Sequence, residues 1–100
     1  MVLHGVTIPE ASLAEFCQRH GVKRLSLFGS ILREDFGPTS DIDVLVEFMP
    51  TVRYSLLDLG EMWMELREML GREVDLKTPK DLSRYFRYEV VRHARRMYAA

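Results

Sequence analysis

The chain has 100 residues, of which 47% are hydrophobic and 29% charged, as is ordinary for one small globular domain with a single core. Its formal net charge of −1 gives the chain as a whole no strong attraction to nucleic acid or membranes. The lone cysteine, Cys17, excludes an internal disulfide and a cysteine-based zinc cluster. The sequence shows neither a signal-peptide pattern nor an apolar run of about 20 residues, so we expect one cytoplasmic domain over residues 1–100.

The first half of the chain alternates helix and strand signals. Residues 7–20 begin with a Thr-Ile-Pro-Glu start signal and end before Gly21, which predicts a helix. Residues 22–28 are short and partly alternating, which predicts a strand. Residues 42–48 are rich in β-branched side chains and predict a more buried strand, which we place at the centre of the sheet.

The second half continues this alternation. Ser55 and Asp58 form a capping pair that predicts a long helix ending at Gly71. Residues 72–78 predict a third strand, and the Thr-Pro-Lys-Asp sequence from Thr78 predicts a last helix. That helix would present one apolar face, formed by Leu82, Tyr85, Phe86, Val90, His93 and Met97. The order α-β-β-α-β-α predicts an α/β (α+β) fold, a small sheet of about three strands flanked by helices.

Two aspartates open the most apolar of the predicted strands. Residues two apart in a strand face the same side, so Asp41 and Asp43 project together, with Cα atoms about 6.6 Å apart. Side-by-side carboxylates repel each other, and a bound Mg²⁺ or Mn²⁺ ion would remove that repulsion. The alternative is that the preceding Gly-Pro-Thr-Ser-Asp sequence forms a turn in which the aspartate caps local amides.

A candidate phosphate-binding segment lies upstream. Gly29 lets the backbone approach a ligand, Ser30 offers a hydroxyl donor, and Arg33 offers a guanidinium group to the same anion. If a helical turn begins at Ser30, its free amides also favour an anion. Taken alone, Arg33 is better explained as a solvated loop charge beside Glu34 and Asp35. The chain contains neither a Gly-x₄-Gly-Lys-Ser/Thr nor a Gly-x-Gly-x-x-Gly motif.

A third carboxylate occurs in the short strand that follows the long helix. If this strand pairs beside the central one, Asp75 joins Asp41 and Asp43 on one face of the sheet. Three such carboxylates can hold two Mg²⁺ ions for displacement at phosphorus, and Asp75 can accept a proton from the attacking hydroxyl. Glu47 and Glu73 share the face by parity and could assist or substitute.

The combined pattern resembles the DNA polymerase β-like nucleotidyltransferase superfamily. It comprises Gly29-Ser30, the pair Asp41-x-Asp43 that begins eleven residues after Ser30, and the later strand carboxylate Asp75. The chain length and the order of elements resemble the smallest members, the minimal nucleotidyltransferases of prokaryotes. The resemblance implies a mixed sheet flanked by helices, a bound nucleoside triphosphate with two Mg²⁺ ions, and transfer to a hydroxyl with release of pyrophosphate.

The resemblance also implies roles for single residues. Gly29 and Ser30 would contact the triphosphate, and the two strand-opening aspartates would hold both metal ions. Asp75 would hold the catalytic metal ion and activate the acceptor. Arg33 matches an arginine that is common in the minimal group. The next position is often glycine there but is Glu34 here, so the path of the loop departs from the pattern.

Minimal members of this superfamily are often encoded beside a small helical HEPN protein. The resemblance therefore implies an antitoxin that transfers AMP from ATP to a tyrosine of a HEPN toxin. One hundred residues leave little room for an acceptor-binding domain, which agrees with an acceptor on a second protein. The alternative is a catalytically weak binding module that neutralises its partner by contact.

The C-terminal segment, residues 80–100, is basic, with six Lys and Arg residues against two acidic ones. These cations could meet the partner protein or RNA, which leaves an RNA- or nucleotide-binding accessory as a further reading. The simpler explanation, which we favour, is that they are cations that interact favourably with the C-terminal end of a helix. The residues do not indicate the base preference, the acceptor or the oligomeric state.

Overall fold

The computed structural model describes all 100 residues. It contains three α-helices, a small N-terminal strand pair and a four-stranded sheet with strand order β5-β4-β3-β6. In chain order the elements are β1 (Val2–Leu3), β2 (Val6–Thr7), α1 (Glu10–His20), β3 (Val22–Phe28), β4 (Ile42–Phe48), α2 (Leu56–Leu70), β5 (Val74–Lys77), α3 (Arg87–His93) and β6 (Arg95–Ala99). Short 3₁₀ turns follow β3 at Gly29–Leu32 and β5 at Pro79–Asp81. The predicted fold class, a small mixed sheet flanked by helices, is confirmed.

The most apolar strand, β4, lies inside the sheet as predicted. It pairs antiparallel with β3 and parallel with β5. The antiparallel register places Phe28 opposite Asp43, so the end of β3 meets the beginning of β4. The parallel register places Asp43 beside Asp75. The pairing on which the sequence argument for a third carboxylate depended is therefore present.

One face of the sheet forms the core with α1 and α2. Ile42, Val44 and Val46 alternate along β4 and are buried there, as their parity predicts. Cys17 is fully buried in the same core, and burial raises the pKa of its thiol to about 12, so this thiol stays protonated and unreactive. The apolar stripe of the long helix, represented by Leu66, packs into this core rather than around a ligand.

The opposite face of the sheet is partly covered by α3. Ser26 and Leu45 are buried on this face. They line one cavity of about 250 Å³ together with Val91 of α3 and Ala94, which follows it. The end of this face near Asp43 lies beside the first turn after β3, and the candidate site is found there.

The helix boundaries follow local capping chemistry. Ser55 and Asp58 form the predicted reciprocal capping box at the start of α2, and Gly71 ends it in the left-handed conformation. Gly21 ends α1 in the same way, as predicted. The start of α1 differs, because Thr7 belongs to β2 and no side chain caps the helix. None of the three helices is both long and apolar enough to cross a membrane.

The prediction of a long last helix from Thr78 is wrong. Its start signal does form a capping box, but the helical turn ends at Asp81, and α3 covers only Arg87–His93. The chain then forms β6, which pairs antiparallel with β3. The element order α-β-β-α-β-α therefore gains a fourth sheet strand and an N-terminal strand pair. The physical reason is that β3 would otherwise leave a row of unpaired backbone groups at the sheet edge, which β6 satisfies.

Candidate functional site

Three carboxylates lie at the beginning of β4 and along its parallel neighbour. Asp43 is the second residue of β4, Asp41 is exposed immediately before the strand, and Asp75 is the second residue of β5. The register pairs Asp43 with Asp75 directly. The sheet therefore brings these predicted site residues to one end of two adjacent strands.

The electrostatics of Asp43 show how closely the negative charges are placed. Burial raises the pKa of the Asp43 carboxyl, and the negative charges of Asp75 and then Asp41 raise it further. The positive charges of Lys77 and Arg33 oppose this rise, but the net shift remains upward. The ionised form of Asp43 is therefore destabilised in the isolated protein, and a bound cation would relieve that destabilisation.

The glycine after β3 packs directly against this carboxyl group. Gly29 has φ +73°, a left-handed backbone conformation that side chains other than hydrogen disfavour. A Cβ placed on Gly29 would overlap Oδ2 of Asp43 and lie 3.1 Å from its Cγ. Only glycine satisfies both constraints at this position. The backbone of the predicted phosphate-binding segment consequently touches the predicted metal-binding carboxylate.

Ser30 and Arg33 continue from this glycine in a short turn. The Arg33 backbone N–H donates to the Ser30 carbonyl at 2.9 Å. Ser30 is half-buried, whereas the Arg33 side chain is 61% exposed and pairs with Asp35 at 3.1 Å. That exposed contact is weak enough for the guanidinium group to exchange for a phosphate. Glu34, where the sequence departs from the resemblance, is exposed in the same loop.

The donor set suits a hard divalent cation, but it does not form a closed metal site. No group of three or more His, Cys, Asp or Glu side chains is arranged to hold one metal ion. Asp75 instead contacts Lys77 at 3.3 Å. Mg²⁺ is commonly held by one or two carboxylates together with substrate phosphates and water, which is what adjacent carboxylates beside a glycine turn allow. The three aspartates therefore suit a divalent cation that binds together with the phosphates of a substrate.

The two glutamates that share the parity of the aspartates are engaged elsewhere. Glu47 pairs with Arg24 across the β3–β4 ladder at 3.5 Å. Glu73 pairs with Arg67 of α2. The acidic neighbours that raise the pKa of Asp43 are Asp75 and Asp41 and not these glutamates, so the candidate ligands remain the three aspartates.

The sequence argument missed Arg72, which holds the loop that leads into Asp41. Its guanidinium group donates to the carbonyls of Gly37 and Ser40, both at 2.8 Å, and lies 4.7 Å from the ring centre of Phe36. These contacts fix the turn immediately before Asp41. The available signal was weak, because an arginine at the start of a strand reveals nothing about a loop more than 30 residues upstream.

Comparison with known proteins agrees with this geometry. A family model described as a nucleotidyltransferase domain matches residues 10–97. A protein of Methanocaldococcus jannaschii, provisionally named a protein adenylyltransferase, is 55% identical over 60 residues, which are 60% of this chain and 62% of the relative. The protein adenylyltransferase MntA of Thermococcus cleftensis is 37% identical over 70 residues, 70% of this chain and 69% of the relative. The chain spans less than two thirds of two relatives from Methanocaldococcus jannaschii, at 62% and 64% of their lengths.

Solved structures share the fold. A structure provisionally described as a minimal nucleotidyltransferase superposes with a TM-score of 0.71 at 33% identity, covering 85% of both chains. A toxin–antitoxin structure with AMP-PNP gives a TM-score of 0.73 at 20% identity, covering 93% of this chain and 75% of the other. The tri-AMPylated HEPN toxin of Shewanella oneidensis in complex with the MNT antitoxin gives 0.64 at 20% identity, covering 91% and 70%. At 20% identity, the last two similarities concern the fold alone.

Gly29→Ala tests the contact with Asp43. The left-handed backbone alone costs about 1–2 kcal/mol, and the overlap with the carboxylate adds to this. Gly5→Ala is the matched control, because Gly5 has φ +78° with no atom within 4 Å of its added Cβ. Urea unfolding should show a larger loss of stability at Gly29 than at Gly5. Equal losses would show that the close approach to Asp43 is absent.

Arg72→Ala should destabilise the protein by about 2–3 kcal/mol, since it removes two hydrogen bonds from a charged group to half-buried backbone. Arg67→Ala is the control, since Arg67 also lies over an aromatic ring but makes an exposed ion pair worth less than about 1 kcal/mol. Thermal and urea unfolding of the two variants measures the difference. An equal effect of the two substitutions would contradict the inference that Arg72 stabilises the loop before Asp41.

Asp43→Asn should stabilise the protein at pH 7 in the presence of a chelator. The folded-state pKa of Asp43 lies above its unfolded value, so its ionisation costs stability as the pH rises through that interval. The gain should vanish as the pH falls below about 3.9, the ordinary pKa of aspartate. Urea unfolding across this pH range measures it, with the exposed Glu15→Gln as control. A destabilised Asp43→Asn protein at pH 7 would contradict the charge crowding.

Proposed function

Because this chain belongs to the nucleotidyltransferase domain family, we propose that it transfers AMP from ATP to a tyrosine hydroxyl of a HEPN-type partner protein. The observation that carries the proposal is the contact between the Gly29 backbone and the Asp43 carboxylate, with Asp41 and Asp75 beside them. This contact places a candidate phosphate site and a candidate cation site within one group of residues. The protein adenylyltransferase names of the relatives support AMP as the transferred group.

The triphosphate is assigned to the turn after β3. Gly29 has no side chain, so its backbone can approach phosphate oxygens, and the Ser30 hydroxyl can donate a hydrogen bond to them. Arg33 is exposed and can leave Asp35 to form a bidentate contact with an anion. These groups hold the leaving pyrophosphate and orient the α-phosphorus toward the acceptor.

Asp41 and Asp43 are the proposed ligands of Mg²⁺ or Mn²⁺, with Asp75 completing the set when ATP is bound. The ion would neutralise phosphate charge and stabilise the attacking and leaving oxygens of the displacement, as paired ions do in two-metal sites. The raised pKa of Asp43 supports this assignment, because burial, and then the charges of Asp75 and Asp41, disfavour an ionised form that a bound cation would stabilise. Arg72 holds the preceding loop and so positions Asp41 for binding.

The chemical step is an in-line displacement at the α-phosphorus. The acceptor phenol oxygen forms a bond to this phosphorus, and the bond to the oxygen bridging to the β-phosphate breaks. Asp75 takes the phenolic proton, and pyrophosphate leaves with the electron pair of the broken bond. Lys77, 3.3 Å from Asp75, balances the charge of this carboxylate before the proton arrives.

A second protein supplies the acceptor in this account. The residues that match the nucleotidyltransferase domain, 10–97, contain the proposed nucleotide and cation sites. Solved complexes with similar folds pair a HEPN toxin with an MNT antitoxin, and one contains a tri-AMPylated toxin. We propose the same arrangement here, in which transfer of AMP neutralises a toxin partner.

One observation favours the alternative of a binding module that neutralises its partner by contact. Asp75 pairs with Lys77, and no three carboxylates gather around one point. If this arrangement persists with nucleotide present, the fold would be retained without turnover. The two functions differ in whether the partner protein gains mass.

Mass spectrometry distinguishes them. The chain is co-expressed with the product of its neighbouring gene, the candidate HEPN partner, and intact masses are recorded before and after addition of ATP and MgCl₂. We expect one or more AMP-sized gains on the partner, and loss of the gain with Asp41→Asn or Asp43→Asn. Glu15→Gln, which removes a carboxylate far from the site, should leave the gain unchanged.

The result that would overturn the enzymatic proposal is equally direct. Full modification by the Asp41→Asn or Asp43→Asn protein would exclude these carboxylates from the reaction. Tight association without any mass gain, using each of the four common nucleoside triphosphates, would favour the binding module.

A further inference from the structure

Three aromatic side chains are exposed at the start of α3. Tyr85, Phe86 and Tyr88 are 76%, 66% and 70% exposed, the first two just before the helix and the third in its first turn. Exposed rings so close together in the sequence are a candidate interaction surface. We call residues 84–88 the aromatic–arginine segment, because Arg84 and Arg87 flank and interrupt the three rings.

The segment has a defined conformation rather than a loose one. The Arg87 backbone N–H donates to the Ser83 carbonyl at 2.8 Å, and the Arg87 guanidinium donates to the Leu82 carbonyl at 3.2 Å. Arg84 lies 5.2 Å from the ring centre of Tyr85, in a cation–π contact. The exposed rings are thus presented by a hydrogen-bonded turn, which reduces the ordering cost of binding.

The segment continues directly into one wall of the candidate active site. Glu89, Val90 and His93 of α3 line a cavity of about 240 Å³ together with Gly29 and Arg33. A polypeptide lying on the aromatic–arginine segment would therefore reach the turn that we assign to the triphosphate. The three rings do not line this cavity themselves; they precede or share α3 with the residues that do.

We propose that the aromatic–arginine segment docks an acidic, tyrosine-bearing segment of the acceptor protein. The inference rests on the proposed function and adds where the acceptor binds and what its chemistry must be. The acidic character of the acceptor segment is inferred from the positive charge of the C-terminal region. Residues 80–100 hold six Lys and Arg against two acidic residues, whereas residues 1–79 hold eight against thirteen. Opposite potentials steer and orient a partner.

RNA would also suit exposed rings and arginines, but the rest of the molecule argues against it. The sequence pI is about 6.3, far below the strongly basic values typical of nucleic-acid-binding domains. The crowded carboxylates next to the same cavity would repel a phosphate backbone that arrives without metal ions. An acidic peptide would place a carboxylate on the exposed Arg84 and bring its neutral phenol toward the turn at Gly29 and Arg33.

A second exposed apolar group provides the matched control. Leu56, Leu57 and Met64 of α2 are 86%, 74% and 62% exposed, as exposed as the three rings. They lie on a helix with more acidic than basic residues, and they line no cavity with Gly29 or Arg33. Replacing these residues therefore shows the effect of losing exposed apolar side chains that lie away from the candidate site and outside the basic region.

The experiment uses the full chain, ATP, MgCl₂ and a random copolymer of glutamate and tyrosine as the acceptor probe. The test variant combines Tyr85→Ser, Phe86→Ser and Tyr88→Ser, and the control combines Leu56→Ser, Leu57→Ser and Met64→Ser. We expect the test variant to raise the KM for the copolymer by about tenfold or more with kcat and the KM for ATP unchanged. The control should match the wild type, and circular dichroism checks that both variants fold.

A charge arm completes the test. Arg84→Gln should raise the KM for the acidic copolymer, and added salt should weaken binding of the copolymer to the wild type more than to this variant. A copolymer of lysine and tyrosine should be a poor acceptor. Equal use of the acidic and basic copolymers would overturn the assignment of an acidic acceptor.

The candidate partner, the product of the neighbouring gene, separates failure of this inference from failure of the proposed function. If the wild type and the triple Ser variant modify it with the same KM, the docking inference is wrong and the transfer activity stands. If the wild type modifies neither this protein nor the copolymer and binds no ATP, the proposed function fails and the docking inference fails with it. Loss of oligouridine binding in the triple variant, with acceptor KM unchanged, would overturn the inference in favour of RNA.

Discussion

The close packing of the Gly29 backbone against the Asp43 carboxylate is the constraint on which the site depends. It follows from the β3–β4 register, which pairs Phe28 with Asp43 and so places the next residue of the chain directly over the carboxyl group. A side chain at Gly29 would separate the turn from the strand, and the candidate phosphate and cation sites would no longer adjoin. The pairing of Phe28 with Asp43 and the absence of a side chain at Gly29 together place the candidate phosphate and cation sites next to each other.

The surrounding structure accepts an electrostatic cost at this position. Three carboxylates lie at the start of β4 and on β5, and the pKa of Asp43 is raised by burial and by its two neighbours. Such crowding is unfavourable in an isolated protein and favourable once a cation and a phosphate are bound. The strand pairing and the contacts of Arg72 with the loop before Asp41 keep these carboxylates near one another despite the repulsion, while Asp75 and Arg33 retain partners that the substrate must displace.

Much of the fold and the candidate site was predictable from sequence because the decisive signals were local. The strands at 22–28 and 42–48, the capping box at Ser55 and the placement of β4 inside the sheet follow from periodicity and turn chemistry, and all are confirmed. The pairing of Asp43 with Asp75 needed only one assumption about strand order.

The features that were missed depend on partners distant in sequence. The C-terminal residues have a helical pattern, but β6 forms because the edge of β3 requires a partner, which no local pattern reports. Arg72 is likewise invisible until the fold brings it to the loop before Asp41. Tyr85 and Phe86 were predicted to lie on an apolar helix face, but both are exposed, because the long helix that would have buried them does not form. Short sequence motifs were enough to predict the candidate site residues. The surface beside them depends on contacts between distant parts of the chain and could not be predicted in this way.

The central claim is that the aspartates beside Gly29 bind divalent cations together with the nucleotide. Electron paramagnetic resonance of Mn²⁺ titrated into the protein, with and without a non-hydrolysable ATP analogue, tests it most directly. The account predicts weak binding by the protein alone and two tightly bound Mn²⁺ ions per chain with the analogue, both lost when Asp41 and Asp43 are replaced by Asn. Unchanged Mn²⁺ binding in that double variant, or no bound Mn²⁺ with the analogue present, would contradict the account.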